Sequence, residues 1–354
     1  MAAYPGQIAL VLQGGGALGA YQVGVYEALH QAGVEPGWVI GTSIGAINGA
    51  IIAGNPPERR IARLERFWKL VRNGHSGLFG AAWTVVSRGI DGFFAPNPEA
   101  LWGVHAPLGV EKAAFYSTAP LRRTLAEMID FDCLAARGTR LTLGAVNVRT
   151  SEMRYFDSRD MTLGVEHVMA SGALPPAFPA VRIDGDPYWD GGVYSNTPIE
   201  VVLDDKPRRD ALIFAANVWH PAGPEPETIW QVLGRQKDIQ YASRAKSHVA
   251  RQQQIHRLRH IIRELAGHLP AERRGEEAVS RLLAYGCATV MHVVPLHAPR
   301  LEGEDHTKDI DFTPAGIEAR RAAGFADTRR ALEERPWERC TDTMDGVIIH
   351  GETP

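Results

Sequence analysis

The sequence predicts an α/β fold in which a mainly parallel sheet carries helices on both faces. Near the N-terminus, apolar β-branched runs alternate with helical patterns, and runs of the same kind recur further along the chain. An order of strand, helix, strand and helix requires crossover connections, which pair their strands in parallel. With 354 residues, the chain is long enough for one large domain and a smaller additional segment.

The N-terminal half opens with two strand–helix pairs. Residues 8–12 form a continuous apolar run that stops at three glycines, which predicts a buried strand. Apolar positions at helical spacing follow as far as Gly33, and residues 38–40 predict a second short strand. A helix of small residues comes next and ends before Pro56 and Pro57, which cannot continue it. Further strands are predicted at 140–148, 211–218 and 290–296.

A long helix is predicted at 227–269, after a proline-rich linker at 221–226. The face of this helix opposite its apolar stripe is rich in arginine and lysine over residues 235–263. Such a face is either solvated and packed on acidic neighbours, or in contact with an anionic membrane surface or a partner protein; RNA binding is a third interpretation. Its apolar stripe is predicted to contain Ile255, Leu258, Ile262 and Leu265.

The C-terminal end is predicted to contain one more helix and then a tail. Thr313 followed by Pro314 is typical of a helix start, because the first caps the helix and the second fits its first turn. This helix is predicted to run to about residue 334. Residues 336–354 are interpreted as a tail that is frayed at its end.

Composition excludes several function classes. A formal net charge of -3 gives no electrostatic footprint for nucleic acid. Cys133, Cys287 and Cys340 form no CxxC pair, so they predict neither a zinc site nor a redox site. The N-terminus lacks the cationic region of a signal peptide, and no apolar run approaches the ~18 residues of a membrane span. We therefore expect a soluble, cytoplasmic protein, with peripheral membrane contact through residues 235–263 as the alternative.

The strongest functional signal is Gly-Thr-Ser-Ile-Gly at 41–45, between the second predicted strand and the helix after it. In this setting a G-x-S-x-G sequence is typical of a nucleophile elbow, in which the serine hydroxyl projects above the sheet. Gly41 and Gly45 let the helix pass close to the strand, and the helix N-terminus favours developing negative charge. Ser43 is therefore the candidate nucleophile, and an unreactive serine in a glycine-rich turn is the alternative.

A second signal is the glycine-rich turn 14–16, with Gly19 shortly after it. Uncovered N–H groups in a turn that opens a helix bind an oxyanion or a phosphate. A Walker loop is excluded because no Lys-Ser or Lys-Thr follows. The G-x-G-x-x-G pattern of dinucleotide-binding proteins is formally present, and Glu35 lies near the required acidic position, but it precedes a proline and a very short strand.

A third signal is Asp190, followed by Gly191 and Gly192. Alone, an Asp-Gly turn is common, so its value comes from the other two signals. A serine hydroxyl needs a base within hydrogen-bond reach, and histidine is the usual one. None of the thirteen histidines lies in a setting that marks it as this base, although a histidine triad stays open.

These three signals, in this order, resemble those of the patatin-like phospholipase family. The segment 170–179 is also similar to the family's helix and proline turn before its aspartate. The resemblance covers residues 7–220 and implies a three-layer α/β/α sandwich with a mainly parallel central sheet. Residues 221–335 look like the mostly helical C-terminal extension of one bacterial subgroup, to which no role is assigned. The matching motifs are residues 14–16, 41–45 and 190–192.

The resemblance implies a lipid acyl hydrolase that cleaves carboxylic esters, such as phospholipids, lysophospholipids or acylglycerols, through a Ser–Asp dyad. Ser43 is implied to attack the ester carbonyl, and Asp190 to accept its proton and later to activate water. An oxyanion hole is implied at Gly14, Gly15 and Gly16, with Gly19, Gly41, Gly45, Gly191 and Gly192 in support. No metal and no cofactor are expected.

Two points stay open within this resemblance. Many family members carry Arg or Lys just before the last glycine of the oxyanion loop, whereas this chain has Leu18, which removes one anchor for an anionic headgroup. An acyltransferase would use the same acyl-enzyme, and a catalytically silent lipid- or membrane-binding scaffold would act through the basic helix instead. The sequence makes no prediction of oligomeric state.

Residues 72–119 form an insertion rich in glycine, proline and aromatic residues. A long, loop-rich insertion in an α/β domain usually has a function. It is interpreted either as a satellite hydrophobic cluster over the sheet or as a cap that lines an acyl-chain pocket. Its aromatic residues include Phe79, Trp83, Phe93, Phe94, Trp102, Phe115 and Tyr116.

Overall fold

A computed structural model describes residues 4–72, 81–339 and 342–351, so Phe79 of the insertion lies outside the described residues. The strands are β1 (Gln7–Leu12), β2 (Trp38–Gly41), β3 (Ala95–Pro96), β4 (Tyr116–Ser117), β5 (Arg140–Asn147), β6 (Met153–Asp157), β7 (Val181–Ile183), β8 (Asp186–Asp190), β9 (Ala211–Asn217), β10 (Met291–His297) and β11 (Val347–Ile349). The helices are α1 (Ala20–Gln31), α2 (Ile44–Ala53), α3 (Pro57–Val71), α4 (Ala81–Arg88), α5 (Ala119–Met128), α6 (Phe131–Ala135), α7 (Val165–Ser171), α8 (Glu200–Leu203), α9 (Ile229–His268), α10 (Ala271–Arg274), α11 (Glu277–Leu283) and α12 (Pro314–Glu334).

Nine of the strands form one sheet in the order β11-β10-β9-β1-β2-β5-β8-β7, with β6 also paired to β5. The six strands from β11 to β5 are all parallel to one another. The pairs β5–β6, β5–β8 and β7–β8 are antiparallel. The predicted mainly parallel sheet is therefore confirmed.

Alternate side chains of β1 separate two hydrophobic layers. Leu10 and Leu12 belong to the larger cluster, which also contains buried side chains of α1, α2 and α3. Ala9 and Val11 belong to the other cluster, together with side chains of α8 and α9. Because successive side chains of a strand point to opposite faces of its sheet, helices cover both faces and the architecture has three layers.

The segment after residue 220 is part of this sheet. β10 pairs with β9 along seven residues, and β11 pairs with β10 at its outer edge. The interpretation of 336–354 as a tail is therefore wrong for Val347–Ile349, which are apolar and add a parallel strand. A run of three residues is too short for its period to predict a strand, and a parallel partner far away in the chain leaves no local signal.

Helix α9 differs from the prediction in the face that it buries. Leu258 and Leu265 of the predicted stripe are each 60% exposed. The buried face instead contains His256 and His260, whose rings hydrogen-bond to the backbone oxygens of Leu203 (2.8 Å) and Thr289 (2.9 Å). These hydrogen bonds offset the cost of burying polar rings, which a hydrophobic pattern does not anticipate.

Several cations of the predicted basic face have partners within the chain. Arg235 donates to the backbone oxygens of His220 and Pro221, and Lys237 pairs with Asp309 at 2.7 Å. The membrane contact predicted for residues 235–263 stays a prediction. Within the described ranges, no helix combines the length and the hydropathy that crossing a bilayer requires.

Helices α1 and α12 pack with their backbones in contact. A Cβ added to Gly324 of α12 would lie 2.0 Å from the oxygen of Tyr21, and one added to Gly24 of α1 would lie 1.9 Å from the oxygen of Arg321. Both neighbouring atoms belong to helical backbone, which cannot move alone. The last long helix therefore packs directly on the helix that follows the glycine loop.

We expect Gly324→Ala to destabilise the protein, because α12 would have to move away from α1. The free energy of unfolding should fall by about 1–3 kcal/mol, as for other overpacked interiors. Gly267→Ala in α9 is the matched control, since no atom lies within 4 Å of its added Cβ and alanine favours a helix. Urea denaturation measures both variants; equal effects of the two substitutions would contradict the packing argument.

Candidate active site

Ser43 lies in a tight turn between β2 and α2, as the G-x-S-x-G sequence predicts. Its φ of 57° and ψ of -126° are sparsely populated for a residue with a side chain. A Cβ on Gly41 would lie 2.2 Å from the oxygen of Gly45, and one on Gly45 would lie 2.2 Å from the oxygen of Leu12. Only glycine fits at both positions, so the motif allows the close approach that holds Ser43 in this turn.

The turn is tied to the neighbouring elements through Ser171 at the end of α7. The N–H of Ser43 donates to the backbone oxygen of Ser171 at 3.0 Å and lies 3.2 Å from its Oγ. That hydroxyl in turn donates to the backbone oxygen of Gly144 in β5 at 2.6 Å. The half-buried Ser43 therefore has a fixed backbone position.

The structure brings Asp190 to Ser43, although 147 positions separate them in the sequence. Asp190 ends β8 and is only 1% exposed, and its Oδ1 accepts a 2.7 Å hydrogen bond from the N–H of Gly192. Burial raises the pKa of the carboxyl to about 7, and the nearby Ser43 side chain and the Gly192 N–H, which both favour the ionised form, partly oppose this effect. Among the described residues no group forms a hydrogen bond of normal geometry with Oδ2, so the carboxyl can still accept a proton.

In the described ranges, the glycine turn after β1 presents two N–H groups that have no acceptor. The N–H of Gly14 donates to the backbone oxygen of Asn196 at 3.2 Å, so Gly14 is not an available oxyanion donor, contrary to the prediction. Within the described part of the chain, the N–H groups of Gly15 and Gly16 have no acceptor. Gly16 has a φ of +56°, and a Cβ there would lie 2.3 Å from the oxygen of Asp309.

The remaining predicted glycines separate packed elements. A Cβ on Gly19 would lie 2.6 Å from Cγ1 of Ile44, directly after Ser43. A Cβ on Gly191 would lie 2.5 Å from the oxygen of Gly144, and one on Gly192 would lie 2.8 Å from Oδ1 of Asn196. These close contacts bring the Asp190 turn against β5 and against the segment that holds the glycine loop.

A cavity of ≈ 190 Å³ has residues of all three motifs in its wall, including Ser43 and Asp190. Most of its remaining wall is apolar. The insertion contributes Val85, Val86, Phe93, Phe94 and Tyr116, so it lines the cavity. Phe94 also packs on Tyr116 and Phe178 at ring distances of 4.8 and 5.2 Å, so the insertion forms an aromatic cluster as well. Three other aromatic residues of the insertion face solvent instead: Trp83 (59% exposed), Trp102 (80%) and Phe115 (50%).

The wall residues that the sequence analysis missed include Trp219, Tyr241, Asp309 and Phe312. Three of them lie after residue 220, in what we call the C-terminal segment, where no sequence motif marks them. Trp219 had a usable signal, because it directly follows the strand predicted at 211–218, and ligands of parallel sheets bind at the carboxyl ends of strands. No histidine lies among the described residues that line this cavity.

Comparisons with known proteins identify the family of this chain. A family model described as patatin-like phospholipase matches residues 10–203, and a model described as patatin phospholipase matches residues 239–344. A patatin-like phospholipase domain-containing protein of Caenorhabditis elegans is 27% identical over 196 residues, which is 55% of this chain and 12% of that protein. Lysophospholipase NTE1 of Cryptococcus neoformans is 30% identical over 215 residues, which is 60% of this chain and 11% of that protein.

The chain thus spans only about an eighth of the length of these two relatives. Among solved structures, VipD from Legionella pneumophila aligns with 98% of this chain and 72% of its own, at a TM-score of 0.44 and 16% identity. The first family model alone covers more than half of the chain. This chain therefore belongs to the patatin-like phospholipase family.

Proposed function

We propose that the protein is a lipid acyl hydrolase in which Ser43 is the nucleophile and Asp190 its general base. The observation that carries this proposal is the contact between the Ser43 side chain and a buried carboxyl whose pKa is raised to about 7. A general base works best when its pKa lies near the working pH, since it is then both ionised and basic enough to take a proton. An ordinary exposed aspartate is too weak a base for this reaction.

The proposed reaction has two halves. In the first, the Ser43 oxygen attacks the ester carbonyl while its proton moves to Asp190, and the N–H groups of Gly15 and Gly16 stabilise the oxyanion. The tetrahedral intermediate then collapses, and Asp190 gives the proton to the leaving alcohol. In the second half, Asp190 takes a proton from water, and the hydroxide attacks the acyl-enzyme. The second tetrahedral intermediate then collapses, Asp190 returns its proton to the Ser43 oxygen, and the carboxylic acid is released.

A Ser–Asp dyad is favoured over a histidine triad by the composition of the cavity. The described wall offers Asp190 to Ser43 and contains no imidazole. The helix N-terminus behind Ser43 adds a positive electrostatic potential at the position where negative charge develops. These features support a carboxylate as the only base that the serine needs.

The cavity wall supports an apolar ester as substrate. Aromatic residues of the insertion line the same cavity as Ser43 and Asp190. Leu18, which follows the glycine turn, is 4% exposed and provides no cation there. An acyl chain therefore suits the cavity better than a charged headgroup does. Acyl transfer to an alcohol would pass through the same acyl-enzyme and is distinguished from hydrolysis by its products.

Ser43→Ala should lower turnover of a lipid ester by several orders of magnitude, because loss of the nucleophile disables the whole catalytic unit. A fluorophosphonate ester should label the wild-type protein at Ser43 and leave the variant unlabelled. Ser280→Ala on the surface of α11 is the matched control and should be labelled and active like the wild type. Labelling that persists in Ser43→Ala would refute the assignment, and an unlabelled wild type would favour a silent scaffold.

Asp190→Asn should abolish most activity yet stabilise the fold above neutral pH. Because the folded pKa is raised above the unfolded value, ionising Asp190 costs stability, and this cost develops as pH rises from about 4 to 7. The neutral amide avoids it, so unfolding above pH 8 should need roughly 1–3 kcal/mol more than in the wild type. The gain should be small at pH 4, where the folded carboxyl is protonated and the unfolded one, with an ordinary pKa of about 3.9, is only about half ionised. Denaturation at both pH values checks this, with the exposed Asp91→Asn as control; an equal effect at pH 4 and pH 8 would contradict it.

The rate of ester hydrolysis should follow the ionisation of Asp190. Since only the carboxylate can accept the Ser43 proton, kcat/KM should rise with pH, with a midpoint near 7, and level off above it. Measuring kcat/KM between pH 5 and 9 with an uncharged ester avoids titration of the substrate. A rate that is already constant from pH 5 upward would argue against a buried aspartate as the base.

A further inference from the structure

We infer that Trp219 is a positioning residue, which aims the N–H of Gly15 into the cavity by holding the carbonyl of Gly14. This inference rests on the proposed function, because it gives the glycine turn the task of binding an oxyanion. Trp219 lies outside the three sequence motifs, and its role would extend to the C-terminal segment that packs against it.

The Gly14–Gly15 peptide is held from its carbonyl side. Nε1 of Trp219 donates to the oxygen of Gly14 at 2.7 Å, and Nδ2 of Asn196 donates to the same oxygen at 3.0 Å. In a trans peptide the C=O and the N–H that share its plane point in opposite directions. Because Trp219 and Asn196 hold the Gly14 carbonyl, the Gly15 N–H points away from these two side chains. Gly15 lines the cavity, and its N–H has no other acceptor in the described ranges.

The indole of Trp219 is itself fixed from several directions. It is 3% exposed, and its backbone N–H donates to Oε1 of Gln13 at 3.0 Å. Its ring packs against that of Tyr241 at 4.9 Å, and Nζ of Lys308 lies 5.2 Å from the ring centre. A donor held in this way keeps its direction during the reaction, which is what preorganised stabilisation requires.

Two of these contacts come from the C-terminal segment. Tyr241 belongs to α9, and Lys308 is 7% exposed and pairs with Asp238 of the same helix at 2.7 Å. A third contact from this segment is the oxygen of Asp309 against Gly16, at the other candidate donor. The segment thus lies against Trp219, which holds the Gly14 carbonyl, and against Gly16, the second candidate donor.

Loss of the indole N–H should affect the transition state more than the bound substrate. The Gly14 carbonyl would keep one donor instead of two, and the peptide plane would be freer to rotate. The ester carbonyl of a bound substrate carries little charge, whereas the tetrahedral intermediate carries a full negative charge on its oxygen. An interaction that strengthens only at that stage contributes to kcat and leaves KM largely unchanged.

Trp219→Phe is the test variant, because it keeps an aromatic ring for Tyr241 and Lys308 and removes the donor together with the five-membered ring that carries it. We expect kcat to fall by about 10- to 100-fold, less than for outright loss of an oxyanion donor, while KM changes by less than about twofold. A trifluoromethyl ketone that forms a tetrahedral adduct with Ser43 should bind more weakly by the same factor as kcat falls. The binding constant of the corresponding unreactive secondary alcohol should not change.

Trp38→Phe is the matched control. Trp38 is also buried, donates from Nε1 to Thr142 at 2.8 Å and has a cation, Arg140, over its ring. It should therefore lose a comparable amount of stability without the selective loss in kcat. Thermal unfolding of both variants shows whether stability alone accounts for a change in rate.

The outcomes separate this inference from the proposed function. If the wild type hydrolyses the ester and labels at Ser43, but Trp219→Phe retains its kcat and its affinity for the ketone, the positioning inference is wrong and the proposed function stands. If both tryptophan variants lose activity in proportion to their stability, the inference is also wrong. If the wild type neither labels nor hydrolyses, the proposed function fails first.

Discussion

The site depends on how closely the start of α2 approaches the ends of β1 and β2. Gly41, Gly45 and the backbone of Leu12 lie so near one another that no side chain fits between them. This contact sets the sharp turn at Ser43 and places the helix N-terminus behind it. A bulkier residue would displace the helix, and the distance between Ser43 and Asp190 would change with it.

Around that contact, the chain places groups that are unfavourable for stability. Ser43 adopts a backbone conformation that few residues with side chains adopt, and Asp190 is buried where its charged form is poorly solvated. Both features are held by neighbours that are themselves well bonded, such as Ser171 and Gly192. Strain and a raised pKa in one cavity are typical of functional sites, where chemistry rather than stability determines the residues.

The sequence predicted those parts of the structure that depend on neighbouring residues. The first two strands, the serine turn and the glycine turn each have a local cause, so the spacing of glycines and apolar residues was enough. The outer strand β11, the buried face of α9 and the positions of Trp219 and Tyr241 depend on contacts between distant segments. His256 and His260 illustrate the limit: as polar residues they predict an exposed face, yet backbone oxygens from other elements satisfy them inside.

The pairing of β10 with β9 bears on how the chain can be divided. The two family models match separate stretches of sequence, but the first six residues of β9 are buried, with β1 on one side and β10 on the other. Cutting the chain after residue 220 would turn this interior strand into an open apolar edge, the kind of surface on which chains aggregate. The two stretches thus share one sheet, and a chain shortened near that point should yield insoluble material.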